Sequence, residues 1–79
     1  MKQDLTHLNS GASGMVVSLQ GGLMAIKKLK ALGIVPGSNI VKKSAALMHG
    51  PIIIQRGAVS VAIGFNLAKL VIVEPDTKK

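Results

Sequence analysis

Cysteine, tryptophan and tyrosine are absent from this sequence, and Phe65 is its only phenylalanine. The absence of cysteine excludes disulfides, thiolate metal sites and a thiol nucleophile. Because the sequence has a single phenyl ring, the core has to be built from aliphatic side chains. For the same reason the protein lacks the set of aromatic side chains on which the bases of single-stranded nucleic acid usually stack. Apolar runs stay far below the roughly 18 residues of a membrane-spanning helix. The first residues also lack the apolar segment of a secretory signal, so we expect a cytoplasmic protein.

Acidic side chains are scarce: three Asp or Glu stand against ten Lys or Arg, and the net charge is +7. Asp4, Glu74 and Asp76 lie near the two ends of the sequence, so no carboxylate pair for acid–base catalysis is formed locally. Nucleophile-elbow and glycine-rich nucleotide-binding motifs are missing as well. We therefore expect a protein that is not an enzyme. Its positive charge favours an acidic partner, whether nucleic acid, anionic lipid headgroups or an acidic protein surface.

A chain of 79 residues has the length of one domain with a small core. We assign residues 1–75 to this domain and residues 76–79 to a disordered basic tail. One clear helix is predicted from Gly22 to Leu32, where Gly33 occupies the position of a left-handed cap. Short β-branched segments between glycine and proline turns predict strands at 15–19, 39–44, 52–56, 59–63 and 70–73.

Five short strands and one helix cannot cover an open sheet, whereas closing the strands removes the exposed edges. The predicted fold is therefore mainly β: a small SH3-like barrel of about five strands with one α-helix inserted after the first strand.

Two groups of side chains form a candidate binding surface. Met24, Lys27 and Lys28 fall on the helix face opposite its apolar side. Leu47 and Met48 stand at a predicted hairpin tip, where a solvated loop would be polar, and exposed apolar tips usually mark a contact. The alternative is that these two residues fold back and cap the barrel. Arg56 is added as a further positive charge for an acidic partner. The candidate partner-binding residues are therefore Met24, Lys27, Lys28, Leu47, Met48 and Arg56.

Metal ligands are few, because His7 and His49 are the only histidines and a structural zinc site needs four Cys or His ligands. The sequence thus predicts no resident cofactor. His49 is kept as a candidate for weak transition-metal binding, against the alternative of an ordinary loop residue.

Several sequence features occur together in the order typical of a known family. They are Leu5-x-x-Leu8-x-x-Gly11, the pair Gly21-Gly22, the helix end Leu29-x-x-Leu32-Gly33-Ile34-x-Pro36-Gly37, then Gly50-Pro51-Ile52, Ala62-Ile63-Gly64 and Val71-Ile72-Val73-Glu74. Between Leu5 and Glu74, the sequence resembles the FeoA family of bacterial ferrous iron uptake. The Leu-Gly-Ile-x-Pro-Gly element is the most distinctive part of this resemblance.

The resemblance implies an SH3-like, non-enzymatic accessory or regulatory protein that binds the cytoplasmic part of the FeoB transporter. The binding site would lie on its GTP-binding domain or its membrane part, and the protein would sit at the inner face of the membrane. FeoA proteins also resemble the C-terminal domain of DtxR-type repressors, so a metal-responsive domain is one alternative function. A basic nucleic-acid-binding barrel is the other and the less favoured, and self-association is left open.

The sequence departs from the family at two places in the predicted hairpin. Lys42 stands at a strand position that is commonly apolar, so we expect that strand to twist or the charge to reach round to solvent. Leu47, Met48 and His49 stand where many members have a proline-containing polar loop.

Overall fold

The computed structural model describes residues 1–76. The order of elements is β1 (Gln3–Asp4), β2 (Ser13–Leu19), α1 (Leu23–Ala31), β3 (Asn39–Ala45), β4 (Ile52–Arg56), β5 (Val59–Ile63), α2 (Phe65–Ala68) and β6 (Val71–Pro75). Residues 77–79 of the predicted tail lie outside the described residues. Asp76 accepts a hydrogen bond from the Ser13 hydroxyl at 2.7 Å. Neither helix in the described part of the chain is long and apolar enough to cross a bilayer.

All strands of the described region join one antiparallel sheet in the order β1-β6-β2-β3-β4-β5. The mainly β fold is confirmed. The sheet has six strands because the two-residue β1, too short to show an alternating pattern, pairs with β6. The helix α1 accordingly follows the second strand. Register shifts between Val16 and Ser18 and between Lys42 and Ser44 raise the local twist, which curls the sheet around its core.

The core lies on the inner face of the curled sheet and is entirely aliphatic. Strand residues alternate between the two faces, so that Val71 and Val73 of β6 are fully buried while Ile72 between them is half-buried. Helix α1 contributes a single fully buried side chain, Leu29. The complete set of buried apolar residues is Leu5, Leu8, Val16, Leu29, Ile34, Ile40, Ile52, Ile54, Ile63, Ala68, Val71 and Val73.

The C-terminus of α1 is closed by the glycine that the sequence indicated. Gly33 has a φ of +84° and its N–H donates to the Lys30 carbonyl at 2.9 Å. The next N–H, from Ile34, donates to the Leu29 carbonyl at 3.0 Å, which completes a Schellman motif. Because Ile34 and Leu29 are both buried, this cap also attaches α1 to the core.

Lys42 on β3 is the only buried charged side chain in the described region, with 4% of its surface exposed. Its ammonium donates to three backbone carbonyls, those of Leu5 at 3.1 Å, Thr6 at 3.1 Å and Leu8 at 2.7 Å. Burial lowers the pKa of Lys42, while the Asp4 carboxylate acts in the opposite direction. The register shift beside Lys42 increases the local twist, which agrees with one of the two expectations for this strand. The other expectation, that its charge reaches solvent, is wrong, because the N-terminal turn at residues 5–8 supplies backbone acceptors inside.

Asp4 organises the turn that supplies these carbonyls. Its carboxylate accepts hydrogen bonds from the Thr6 N–H at 2.9 Å and from the Thr6 hydroxyl, and lies 3.1 Å from His7 Nδ1. Partial burial acts to raise the pKa of Asp4, but the bonds from Thr6 and His7 outweigh it and lower the pKa overall. The turn is therefore held by an anion on one side and by the Lys42 cation on the other.

Replacing Lys42 by Met should lower the free energy of unfolding by about 1–3 kcal/mol, because buried carbonyls lose their donor. The matched control is Lys43→Met, since Lys43 is its exposed neighbour on the same strand. This control should stay within about 0.5 kcal/mol of the unmodified protein in urea unfolding. Equal stability of the two variants would contradict the structural role of Lys42.

Asp4→Asn should flatten the acid limb of the stability profile. The folded-state pKa of Asp4 lies below its ordinary value of 3.8, so its contribution is present above that value and is lost as pH falls through the folded-state pKa. Urea midpoints measured from neutral pH to below about pH 4 should therefore fall less for Asp4→Asn than for the unmodified protein. An equally steep loss of stability in Asp4→Asn and in the unmodified protein would contradict the role of the Asp4 carboxylate in the turn.

Candidate functional site

A groove of about 560 Å³ lies between the outer face of α1 and helix α2. On α1 it lies opposite the buried Leu29, and its floor is made of small and apolar side chains. Lys27 and Lys28 are exposed at its edge, and Met24 is 78% exposed. We call it the α1–α2 groove, and it is lined by Met24, Ala25, Lys27, Lys28, Ala31 and Leu67.

A second depression, the hairpin hollow, has a volume of about 510 Å³ and adjoins the first. Leu67 lines both, so the two form one continuous surface across α2. The hollow reaches the loop between β3 and β4 and is lined by His49, Gly64, Phe65, Asn66, Leu67 and Lys69. Leu67, which joins the two depressions, is not among the residues predicted from the sequence, because a single helical turn gives no periodicity to show which side chains face outward.

The loop between β3 and β4 ends in an exposed apolar tip. Leu47 and Met48 are 88% and 95% exposed, so they do not fold back to cap the core. Met48 and His49 have φ values of 60° and 61°, and the Gly50 N–H donates to the Leu47 carbonyl at 3.2 Å, the pattern of a type I′ turn. Such turns favour Asn and Gly, because other side chains crowd the backbone at positive φ. The tip is therefore strained at the point where its side chains are most exposed.

His49 anchors the tip to α2 by stacking on Phe65. The ring centroids are 4.3 Å apart and the planes are inclined by 19°. Lys69 Nζ lies 6.0 Å from the centre of the Phe65 ring. Phe65, the single aromatic residue of the sequence, is thus a half-buried wall of the hairpin hollow with one face covered by His49.

The six candidate partner-binding residues separate into three places. Met24, Lys27 and Lys28 line the α1–α2 groove together, whereas Leu47 and Met48 project from the tip and line neither depression. Arg56 is half-buried, and its guanidinium packs against Gly33, so closely that a Cβ at this position would collide with it. Its Nε is buried and finds no hydrogen-bond partner among residues 1–76. Arg56 therefore covers the C-terminal cap of α1 and is not part of the groove.

Metal ligation at His49 finds no support in neighbouring side chains. Within residues 1–76, no three His, Cys, Asp or Glu side chains are grouped closely enough to hold a metal ion. The side chain that contacts the His49 ring is Phe65, which cannot ligate. His7 does lie beside a carboxylate, that of Asp4, but this pair belongs to the N-terminal turn.

The sequence model of the family described as FeoA domain matches residues 3–75 of this chain. The chain belongs to the FeoA family. A crystal structure of the iron uptake regulatory protein FeoA is 39% identical, with a TM-score of 0.86, and the match covers 95% of this chain and 97% of that one. The FeoA of Stenotrophomonas maltophilia, a prokaryotic SH3-domain protein crystallised with zinc, is 25% identical with a TM-score of 0.77, over 91% of this chain and 89% of that one.

These matches confirm the resemblance to FeoA, the SH3-like fold and the association with ferrous iron transport. A manganese-dependent transcriptional repressor shares the fold alone, with 17% identity and a TM-score of 0.86 over 94% of this chain and 41% of that one. No curated protein matches the sequence.

Met48→Asn should raise the free energy of unfolding by about 1 kcal/mol, because asparagine tolerates positive φ and methionine does not. The matched control is Met24→Asn, because Met24 is also an exposed methionine but lies in the right-handed helix α1. That substitution should lower stability, since asparagine is a weaker helix former than methionine. Thermal or urea unfolding distinguishes the two, and a loss of stability in both variants would show that the tip is not strained.

Proposed function

We propose that this FeoA protein is a non-enzymatic accessory and regulatory component of ferrous iron uptake that binds the cytoplasmic part of an FeoB-type transporter through the α1–α2 groove. The observation that carries the proposal is the groove itself, an apolar floor edged by Lys27 and Lys28 on the exposed side of α1, the longer of the two helices. Family membership supplies the transport context.

The composition of the groove suits an acidic protein partner. Met24 and Leu67 offer apolar area to bury, while Ala25 and Ala31 leave room for a partner backbone to approach α1 closely. Lysines at the edge increase the association rate with an acidic surface more than they increase affinity, because exposed charges act at long range. From residue 5 to residue 73 the sequence contains no acidic side chain that would oppose such a partner.

Regulation would follow from differential affinity. A protein that binds one nucleotide state of the transporter's GTP-binding domain more tightly shifts that domain towards this state by the ratio of the two affinities. A tenfold preference corresponds to about 1.4 kcal/mol, which two apolar anchors in a groove can provide. No chemical step on the FeoA side is needed for this effect.

The two alternative functions receive less support from the site. Single-stranded nucleic acid would have to stack on Phe65, one face of which is already covered by His49. A metal-responsive domain would need grouped ligands, and the described residues hold no group of three.

Addition of the soluble GTP-binding domain of the cognate transporter should shift backbone amide signals at residues 23–31 and 65–69 of the labelled protein. The double variant Met24→Ser, Lys27→Glu should weaken binding by about tenfold or more, because it removes an apolar anchor and reverses an edge charge. Val59→Ser is the control, since Val59 is 49% exposed but pairs with Arg56 at the end of β4 furthest from the hairpin tip. Equal weakening by the control, or shifts confined to β4 and β5, would contradict the proposal.

A further inference from the structure

The hairpin tip is a convex apolar projection that the α1–α2 groove does not explain. Leu47 and Met48 are, together with Met1, the three most exposed large apolar side chains in the described part of the chain, and neither lines the groove or the hollow. Binding hot spots between proteins are anchored in closely packed pockets, whereas these two side chains stand on top of a turn with Ala46 and Gly50 beside them. A fluid apolar phase can receive such a projection without a preformed cavity.

Positive charge surrounds the tip on both sides. Lys43 is exposed on the β3 arm that leads to it, at the residue left out of the pairing between β3 and β4. Lys69 lies on the wall of the hairpin hollow with His49. Phosphate headgroups are the complementary partner for lysines flanking an apolar segment.

The tip is also held in place in a way that suits insertion. Stacking of His49 on Phe65 attaches the turn to α2, so Leu47 and Met48 are presented outward from a fixed base. The positive φ values of Met48 and His49 keep this presentation at a conformational cost. Methionine and leucine are flexible enough to adapt to disordered acyl chains.

We propose that the hairpin tip is a membrane-binding element that inserts Leu47 and Met48 into the interfacial layer of an anionic lipid bilayer, with Lys43 and Lys69 against the headgroups. A second copy of the chain is a poorer occupant, because two molecules of net charge +7 repel each other. The inference is independent of the proposed groove, since it concerns different side chains and a different partner.

Co-flotation of the full chain with large unilamellar vesicles tests this element without any transporter present. Vesicles of phosphatidylglycerol and phosphatidylcholine should bind the protein, and vesicles of phosphatidylcholine alone should not. The double variant Leu47→Ser, Met48→Ser should reduce the partition coefficient by about tenfold or more, because two apolar side chains no longer enter the bilayer. Lys43→Gln and Lys69→Gln should each reduce it by about fivefold.

Val59→Ser is again the control, and it should bind anionic vesicles as the unmodified protein does. Spin-labelled lipids should broaden the amide signals of residues 46–49 before those of residues 59–61. Three results would overturn the proposal: no flotation with anionic vesicles, unchanged binding by the Leu47 and Met48 double variant, or equal loss in the Val59 control. Lipid binding together with failed binding of the GTP-binding domain would leave this element intact and refute only the groove.

Discussion

The Lys42 ammonium, buried against the carbonyls of Leu5, Thr6 and Leu8, is the interaction on which the arrangement of the chain depends. A buried cation is costly unless its donors are satisfied, and the N-terminal turn exists in the shape that satisfies them. Asp4 shapes that turn from the other side through its bonds to Thr6. The Asp4 carboxylate and the Lys42 ammonium thus hold the N-terminal turn from two sides.

The backbone around Lys42 also helps to link neighbouring strands of the sheet. Strand β2 lies between β6 and β3, and the segment before it bridges these two neighbours. Leu5 N–H donates to the Val71 carbonyl of β6, while the Gly11 N–H and the Ala12 carbonyl bond the backbone of Lys42 on β3. The bulge beside Lys42 increases the twist at the same point. With one side of the fold closed in this way, α1, α2 and the hairpin tip are left to face outward.

Features that depend on local sequence patterns, such as helix ends, could be predicted from the sequence. Features that depend on contacts between distant parts of the chain could not. The end of α1 was predicted from Gly33, because a left-handed helix cap is usually a glycine and can be recognised from the local sequence. Burial of Lys42 could not be predicted, because its acceptors come from a turn more than 30 residues away in the chain. Arg56 was assigned to the partner surface for its charge, yet it covers the cap at Gly33. The α1–α2 groove could not be predicted either, because Leu67 of α2 forms part of its lining. A helix of four residues is too short to show an amphipathic pattern.

The two proposed contacts lie on one side of this FeoA protein: the α1–α2 groove for the transporter's cytoplasmic domain and the hairpin tip for the lipid around it. Hydrogen–deuterium exchange of the full chain, bound to full-length transporter in an anionic bilayer, tests both together. We expect slower exchange at residues 23–31, 65–69 and 46–50, and unchanged exchange at residues 56–60. Slowing confined to residues 56–60, or no slowing in any of these segments, would refute both contacts.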